Sequence, residues 1–165
     1  MKRIYILALF TVFFGSSWLS YNIAQEKSDS TKTAWDKMEI TAPKNIDFKI
    51  QSCEISGNIV EYTFRIKNNI KDCERFELGP YSVYDDKGNQ YSDITAHLGK
   101  SSSSTNYVYE ELPEGINVKV KIIIRGVDKE AKTFQRIDMG CYGSGLNMSV
   151  KKIIIKNIPI EEKKS

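Results

Sequence analysis

After Pro43 the chain alternates with a period of two. Ile46, Phe48 and Ile50 fall on one face, and Asp47, Lys49 and Gln51 fall on the other. That pattern predicts a strand with one buried side. The run IVEYTFRIKN repeats it, with Val60, Tyr62, Phe64 and Ile66 inward and Glu61, Thr63, Arg65 and Lys67 outward. Ser56 and Gly57 supply a turn between the two runs, which predicts a hairpin. Phe76 and Leu78 continue the pattern, Gly79 and Pro80 interrupt it, and Tyr81 and Val83 resume on the opposite phase. Because proline offers no ladder donor, this point reads as an edge, a bulge or a change of sheet. Later apolar runs, Tyr107 to Leu112, Val118 to Ile124, Phe134 to Met139 and Ser149 to Ile158, are separated by PEG, GVDKEA and CYGSG. Short strands at regular spacing, with no convincing interior helix, predict an all-β antiparallel sandwich over residues 44–160, followed by a charged tail at 161–165.

The residues ahead of this pattern are of another kind. Lys2 and Arg3 precede an apolar run from Ile4 to Phe14, then Gly15, Ser16 and Ser17, the n-region and short h-region of an export signal. Residues 1–24 therefore read as a signal peptide cut after Ala24, or as an uncleaved anchor; Ser16, Ser17, Ser20 and Asn22 favour removal. Either way the following chain is exported, to the periplasm, the cell surface or the medium. The first cysteine is Cys53, so lipidation at the cut is excluded. Residues 25–43 are rich in Ser, Thr, Lys and Glu and read as a polar tether or docked arm, with Ala34, Trp35 and Met38 spaced for one face of a short helix. Asp29, Ser30 and Thr31 resemble a short motif at which some bacteria O-glycosylate exported proteins. The full chain has 24 basic and 21 acidic residues. Loss of Lys2 and Arg3 brings it near neutrality, which leaves no field to recruit nucleic acid or an anionic membrane; membrane association then depends on an uncleaved N-terminus.

VYDDKGNQY, residues 83–91, raises the question of a calcium loop. Counting from Asp85 places Lys87 third and Ala96 twelfth; counting from Asp86 places Gly88 third and His97 twelfth, so both registers lack the ligands. The stretch reads instead as a hairpin turn, with Asp86 accepting from the backbone ahead of it and Gly88 at positive φ. A looser cation site from Asp85, Asp86 and Asp93 is the weaker alternative, and no metal is expected. With RIKNN, YDDKGNQY, LPEGINVKVKIIIRGV and the closing IIIKNIPI, the chain over about residues 46–160 resembles the exported telokin-like, immunoglobulin-fold domains of unknown function of bacterial envelope proteins. The resemblance implies an immunoglobulin-like β-sandwich of about seven or eight strands and a small accessory or interaction module. It carries no catalytic residues over.

Three cysteines in an exported chain leave one unpaired if a bridge forms. Simple alternation of strand direction puts Cys53 and Cys141 at one end of the sandwich and Cys73 at the other. A Cys53–Cys141 disulfide with Cys73 free is thus expected, contributing about 4–5 kcal/mol in the chain-entropy model; three separate buried thiols are the alternative. The sole histidine, His97, makes Cys73 with His97 the one conceivable thiol dyad. YGSGL lacks the glycine two before Ser144 that a nucleophile elbow needs, and zinc, phosphate-loop and dinucleotide motifs are missing, so no cofactor is expected. Tyr81, Tyr84, Tyr91, Tyr107 and Tyr109 gather along the central hairpin and the next strand, either as a binding surface for an envelope protein or glycan or as half-buried strand residues. GKSSSST, residues 99–105, reads as a flexible polar loop beside them. The leading reading is a non-enzymatic exported binding or accessory module of the envelope. A structural envelope protein held by its N-terminus and a thiol enzyme are the alternatives.

Overall fold

The structure, a computed structural model, describes residues 33–105, 107–146 and 151–163. The export segment, the Asp29–Ser30–Thr31 motif and most of the tether lie outside the described residues. Ala34–Lys37 forms one 3-10 turn rather than an α-helix, with the Asp36 carboxylate accepting from the Thr33 N–H at 2.6 Å.

The described residues after this turn form strands β1 (Glu39–Thr41), β2 (Ile46–Ser56), β3 (Ile59–Asn68), β4 (Cys73–Asp85), β5 (Gln90–Tyr91), β6 (Ile94–Leu98), β7 (Ser101–Ser103), β8 (Val108–Leu112), β9 (Asn117–Arg125), β10 (Thr133–Gly143), β11 (Lys152–Pro159) and β12 (Glu161–Glu162). They build an immunoglobulin-like β-sandwich. One sheet runs β1-β11-β10-β4-β5, with β8 also paired to β4; the other runs β12-β2-β3-β9-β6-β7. The pairings are antiparallel except β12 on β2, which is parallel. β1 and β12 lie just outside the 44–160 span, one at the end of the expected tether and the other in the expected tail. Between the sheets pack Tyr62, Phe64 and Ile66 of β3, Phe76 and Leu78 of β4, Ile122 and Ile124 of β9, Phe134, Ile137 and Met139 of β10, and Ile153 and Ile155 of β11, all buried. Burial of this apolar face is what holds the two sheets together.

Two bulges change strand phase, one on β2 that the sequence reading did not mark and one at the interruption read at Gly79 and Pro80. On β2, Gln51 is an extra residue between Ile50, opposite Phe64, and Ser52, opposite Thr63. The shift turns Cys53 inward, opposite Tyr62. On β4, Gly79 and Pro80 together face one residue of β10, since Leu78 pairs with Cys141 and Tyr81 with Met139. Gly79 adopts φ 130°, a conformation that a Cβ would penalise. Pro80 sits between the stretches of β4 paired by β8 and by β5, where a missing N–H costs no ladder bond on that side.

The turns sort into two ends. At the first, the Val127 N–H bonds the Asn58 carbonyl at 2.9 Å and the Asp86 N–H bonds the Thr133 carbonyl at 3.0 Å. At the second, the Gly115 N–H bonds the Asn68 carbonyl at 2.8 Å. The serine-rich stretch expected as a loop supplies β7, which pairs with β6 as the last strand of its sheet. CYGSG is not a separator: Cys141, Tyr142 and Gly143 are the last residues of β10.

Tyr62 is fully buried, and among the described residues its hydroxyl has no hydrogen-bond partner. A buried hydroxyl without a partner forfeits its hydration. Tyr62→Phe is therefore expected to stabilise the domain by about 1 kcal/mol, seen as a higher urea midpoint at unchanged slope. A lower midpoint would mean that the hydroxyl is bonded in solution.

Candidate functional site

The outer face of the first sheet carries an aromatic and charged cluster at the second end. β4 is flanked there by β8 and β10 in matching register, so Glu77 stands opposite Tyr109 on one side and Tyr142 on the other. Residues paired in this way project to the same face. Phe76 and Leu78 point into the core, which sends Glu77 and Arg75 outward with the two tyrosines. Tyr109 is 56% exposed and Tyr142 51%. Two strand spacings separate their backbones by about 10 Å. The Arg75 guanidinium carbon lies 4.3 Å from the Tyr109 ring centroid, and its Nε donates to Glu77 Oε1 at 2.6 Å. Tyr107, two residues before Tyr109, is also exposed. The cluster thus presents aromatic faces on both sides of a paired guanidinium and carboxylate. Such a surface stacks on a planar or apolar ligand face and hydrogen-bonds its polar edge.

Of the five tyrosines singled out in the sequence, only Tyr107 and Tyr109 lie here. Tyr84 opposes Arg136, about 20 Å along β4 from Glu77. Tyr81 is half-buried, its hydroxyl donating to the Leu78 carbonyl at 3.0 Å, and burial raises its pKa. Tyr91 is buried. The five do not form one surface, because Tyr81 and Tyr84, three residues apart on one strand, project to opposite faces and Tyr91 is buried. Tyr142 escaped the sequence reading, since YGSG looks like turn chemistry; its position one residue after Cys141 in a long strand is the signal that could have revealed it.

VYDDKGNQY is the β4–β5 turn, with Gly88 at φ 84°. The aspartate that organises it is Asp85 and not Asp86. Asp85 Oδ1 accepts from the N–H groups of Lys87 at 2.9 Å and Asn89 at 2.8 Å; Oδ2 accepts from Asn89 Nδ2 at 2.9 Å and the Tyr91 hydroxyl at 2.6 Å. Burial pushes its pKa up, but the hydrogen bonds from Tyr91, Asn89 and Lys87 outweigh this and hold it below the usual carboxylate value. Asp86 instead receives the Lys132 N–H, and Asp93 faces Arg125 at 3.4 Å. Asp85, Asp86 and Asp93 are therefore each engaged by a different group, and among the described residues no cluster of His, Cys, Asp or Glu is arranged to hold a metal ion.

The expected bridge between Cys53 and Cys141 does not form; Cys53, Cys73 and Cys141 are three separate buried thiols. Cys53 lies at the first end, beside Glu54, which pairs with Glu161. The Ile160 N–H bonds the Lys132 carbonyl, so β10 starts at that end. Cys141 is eight residues into β10 from Thr133, about 26 Å further along at 3.3 Å per residue. A disulfide needs its Cα atoms within about 7 Å. The count of strand directions failed because β5 and β6 run the same way as one pass, and β7, antiparallel to β6, adds one further reversal. Burial raises all three thiol pKa values, Cys141 to about 11, so neutral pH leaves none as a thiolate. Nor do Cys73 and His97 meet. His97 faces outward from β6 in the second sheet, opposite Lys121 and Ser102, while Cys73 is buried in the first sheet, and stacked sheets are about 10 Å apart.

No protein-family model matches the chain, and no curated protein matches it. Among solved structures it is similar to the major subunit MyfA of the Myf fimbriae from Yersinia enterocolitica, a structure in complex with galactose, at 11% identity and TM-score 0.44, covering 67% of this chain and 97% of that one. It is similar to the collagen-binding domain of a Staphylococcus aureus adhesin at 12% identity and TM-score 0.33, covering 74% of this chain and 100% of that one. It is also similar to a family 123 glycoside hydrolase from Clostridium perfringens at 8% identity and TM-score 0.46; 73% of this chain is covered, and it spans 28% of the hydrolase.

Proposed function

We propose that this protein is an exported, non-enzymatic binding module of the cell envelope that grips a protein or glycan partner through Tyr109, Tyr142, Arg75 and Glu77. The observation that carries the reading is the pair of half-exposed tyrosines held on rigid strands on either side of Glu77. Rigid aromatic faces present contact area at little entropic cost, and tyrosine and arginine are favoured at the energetic centres of interfaces. Export is supported by the charged and apolar start of the chain, and the accessory role by the resemblance to telokin-like envelope domains. The absence of a thiolate and the separation of Cys73 from His97 speak against the thiol-enzyme alternative.

The exported protein, immobilised and probed with a glycan array and with solubilised envelope proteins, tests this. Tyr109→Ala and Tyr142→Ala are each expected to weaken capture about 5- to 30-fold, and the pair together to abolish it, with unchanged melting temperature. Capture that persists undiminished in the double variant would remove this face as the site.

A further inference from the structure

The sheet margins close with short strands almost everywhere. β1, β5, β7 and β12 span two or three residues each, and β8 spans five. The exception is β2, eleven residues long, where β12 pairs only with Glu54 and Ile55. Among the described residues, positions 46–51 of β2 have no strand on the side away from β3. The Asn69 N–H bonds the Asn45 carbonyl, so residues 45, 47 and 49 turn their main-chain groups toward β3. By the same alternation, Phe48 and Ile50 present both N–H and C=O to the open edge, and Ile46 presents its C=O while its N–H is held by the Pro43 carbonyl at 3.0 Å.

We infer that this edge pairs with β2 of a second copy of the chain, antiparallel and two-fold symmetric about Phe48. In that register the Phe48 N–H donates to the Phe48 carbonyl of the second copy, and the Ile50 N–H donates to the Ile46 carbonyl of the second copy, both reciprocally. The side chains agree with this register and with few others. Asp47 and Lys49 are exposed, and symmetry about Phe48 sets Asp47 of each copy opposite Lys49 of the other. Within one copy Lys49 stands opposite Arg65, a like-charge neighbour that an aspartate on its other side would offset. On the inner face Phe48 and Ile50 are half-exposed at the margin of the core, with Phe48 stacked on Phe64 at 4.3 Å between centroids. Pairing sets the two Phe48 rings side by side and continues the apolar layer across the two-fold axis. Charges on an open edge ordinarily repel a strand; here they are complementary only to their own symmetry mate. This surface is distinct from the tyrosine face, so two copies would carry two such faces.

The test is sedimentation velocity of the exported protein from about 1 to 100 µM, with Asp47→Lys, Lys49→Glu and the double swap. All three changes are on the surface and leave the core untouched. Each single change sets like charges opposite each other twice, and is expected to raise the dimer dissociation constant at least about tenfold; the double swap restores it to within about threefold. A monomer throughout the range overturns the inference. So does a dimer that the double swap fails to restore, which would place the contact elsewhere. So does concentration-independent protection of the Phe48 and Ile50 amides from hydrogen exchange, which would mean that the chain covers its own edge.

Discussion

Asp85→Ala is expected to destabilise the domain by about 3–5 kcal/mol, a fall in melting temperature of roughly 10–20 °C for a domain of this size. Asp85 is 1% exposed, and both oxygens of its carboxylate are filled by donors from Lys87, Asn89 and Tyr91. Alanine leaves those donors facing a hole. The damage would spread, because the Tyr91 hydroxyl also accepts from the Asp128 N–H at 3.2 Å, and Lys87 reaches Asp128 at 3.0 Å and Glu130 at 2.9 Å. Asp85 therefore ties the β4–β5 turn to the loop between β9 and β10. Asp85→Asn is expected to cost less, because its amide nitrogen would meet donors only on the side of Asn89 and Tyr91.

The carboxylate also predicts a pH dependence. Its folded pKa lies below the ordinary aspartate value of about 3.9, so just below that pH the unfolded chain binds more protons than the folded one. Stability then rises with pH across this window. The Asp85 contribution is complete above the unfolded value and is lost as pH falls through the folded one. Urea unfolding between about pH 2 and 7 should show wild type and Asp85→Asn converging in acid. Parallel curves would mean that folding leaves the Asp85 pKa unchanged.

At the other end, Asn68→Ala is expected to cost about 2–4 kcal/mol. Asn68 is fully buried; its Nδ2 donates to the carbonyls of Lys71 and Leu112, and its Oδ1 accepts from the Ile70 N–H at 3.1 Å. One amide thus joins the β3–β4 connection to the end of β8. Only an amide has donor and acceptor placed for this, since a carboxylate would face two carbonyls with no proton to give. Asn68→Asp should accordingly be more damaging at pH 7 than at pH 4, as protonation restores one donor. Chemical denaturation at the two pH values measures this, and equal losses would show that the amide is not the clasp.

The two clasps were unequally legible. Asp85 belonged to a stretch conspicuous for its turn residues, yet the choice between Asp85 and Asp86 depended on which side chain the strand phase turned inward. Asn68 closed a run whose alternation was plain, but its partner across the fold lies 44 residues away at Leu112, and nothing local announces it. The tyrosine face shows the same division. Tyr109 was singled out from its strand; Tyr142 became its counterpart only because β8, β4 and β10 lie abreast at Glu77.

Alternation of apolar and polar residues by itself determined that the chain is all-β, which faces of β2, β3 and β9 are buried, and where the first hairpin turns, because side-chain direction in a strand is a local property of period two. Tertiary structure alone decided which end of the sandwich each strand reaches, which aromatics share a surface, and which edge stays open. ITAHL and SSS, too short and too polar to read as strands, form β6 and β7 because neighbouring strands supply their hydrogen bonds. The extra reversal at β7 carried Cys141 to the end opposite Cys53, and strand direction, unlike strand phase, is the sum of every turn that precedes it.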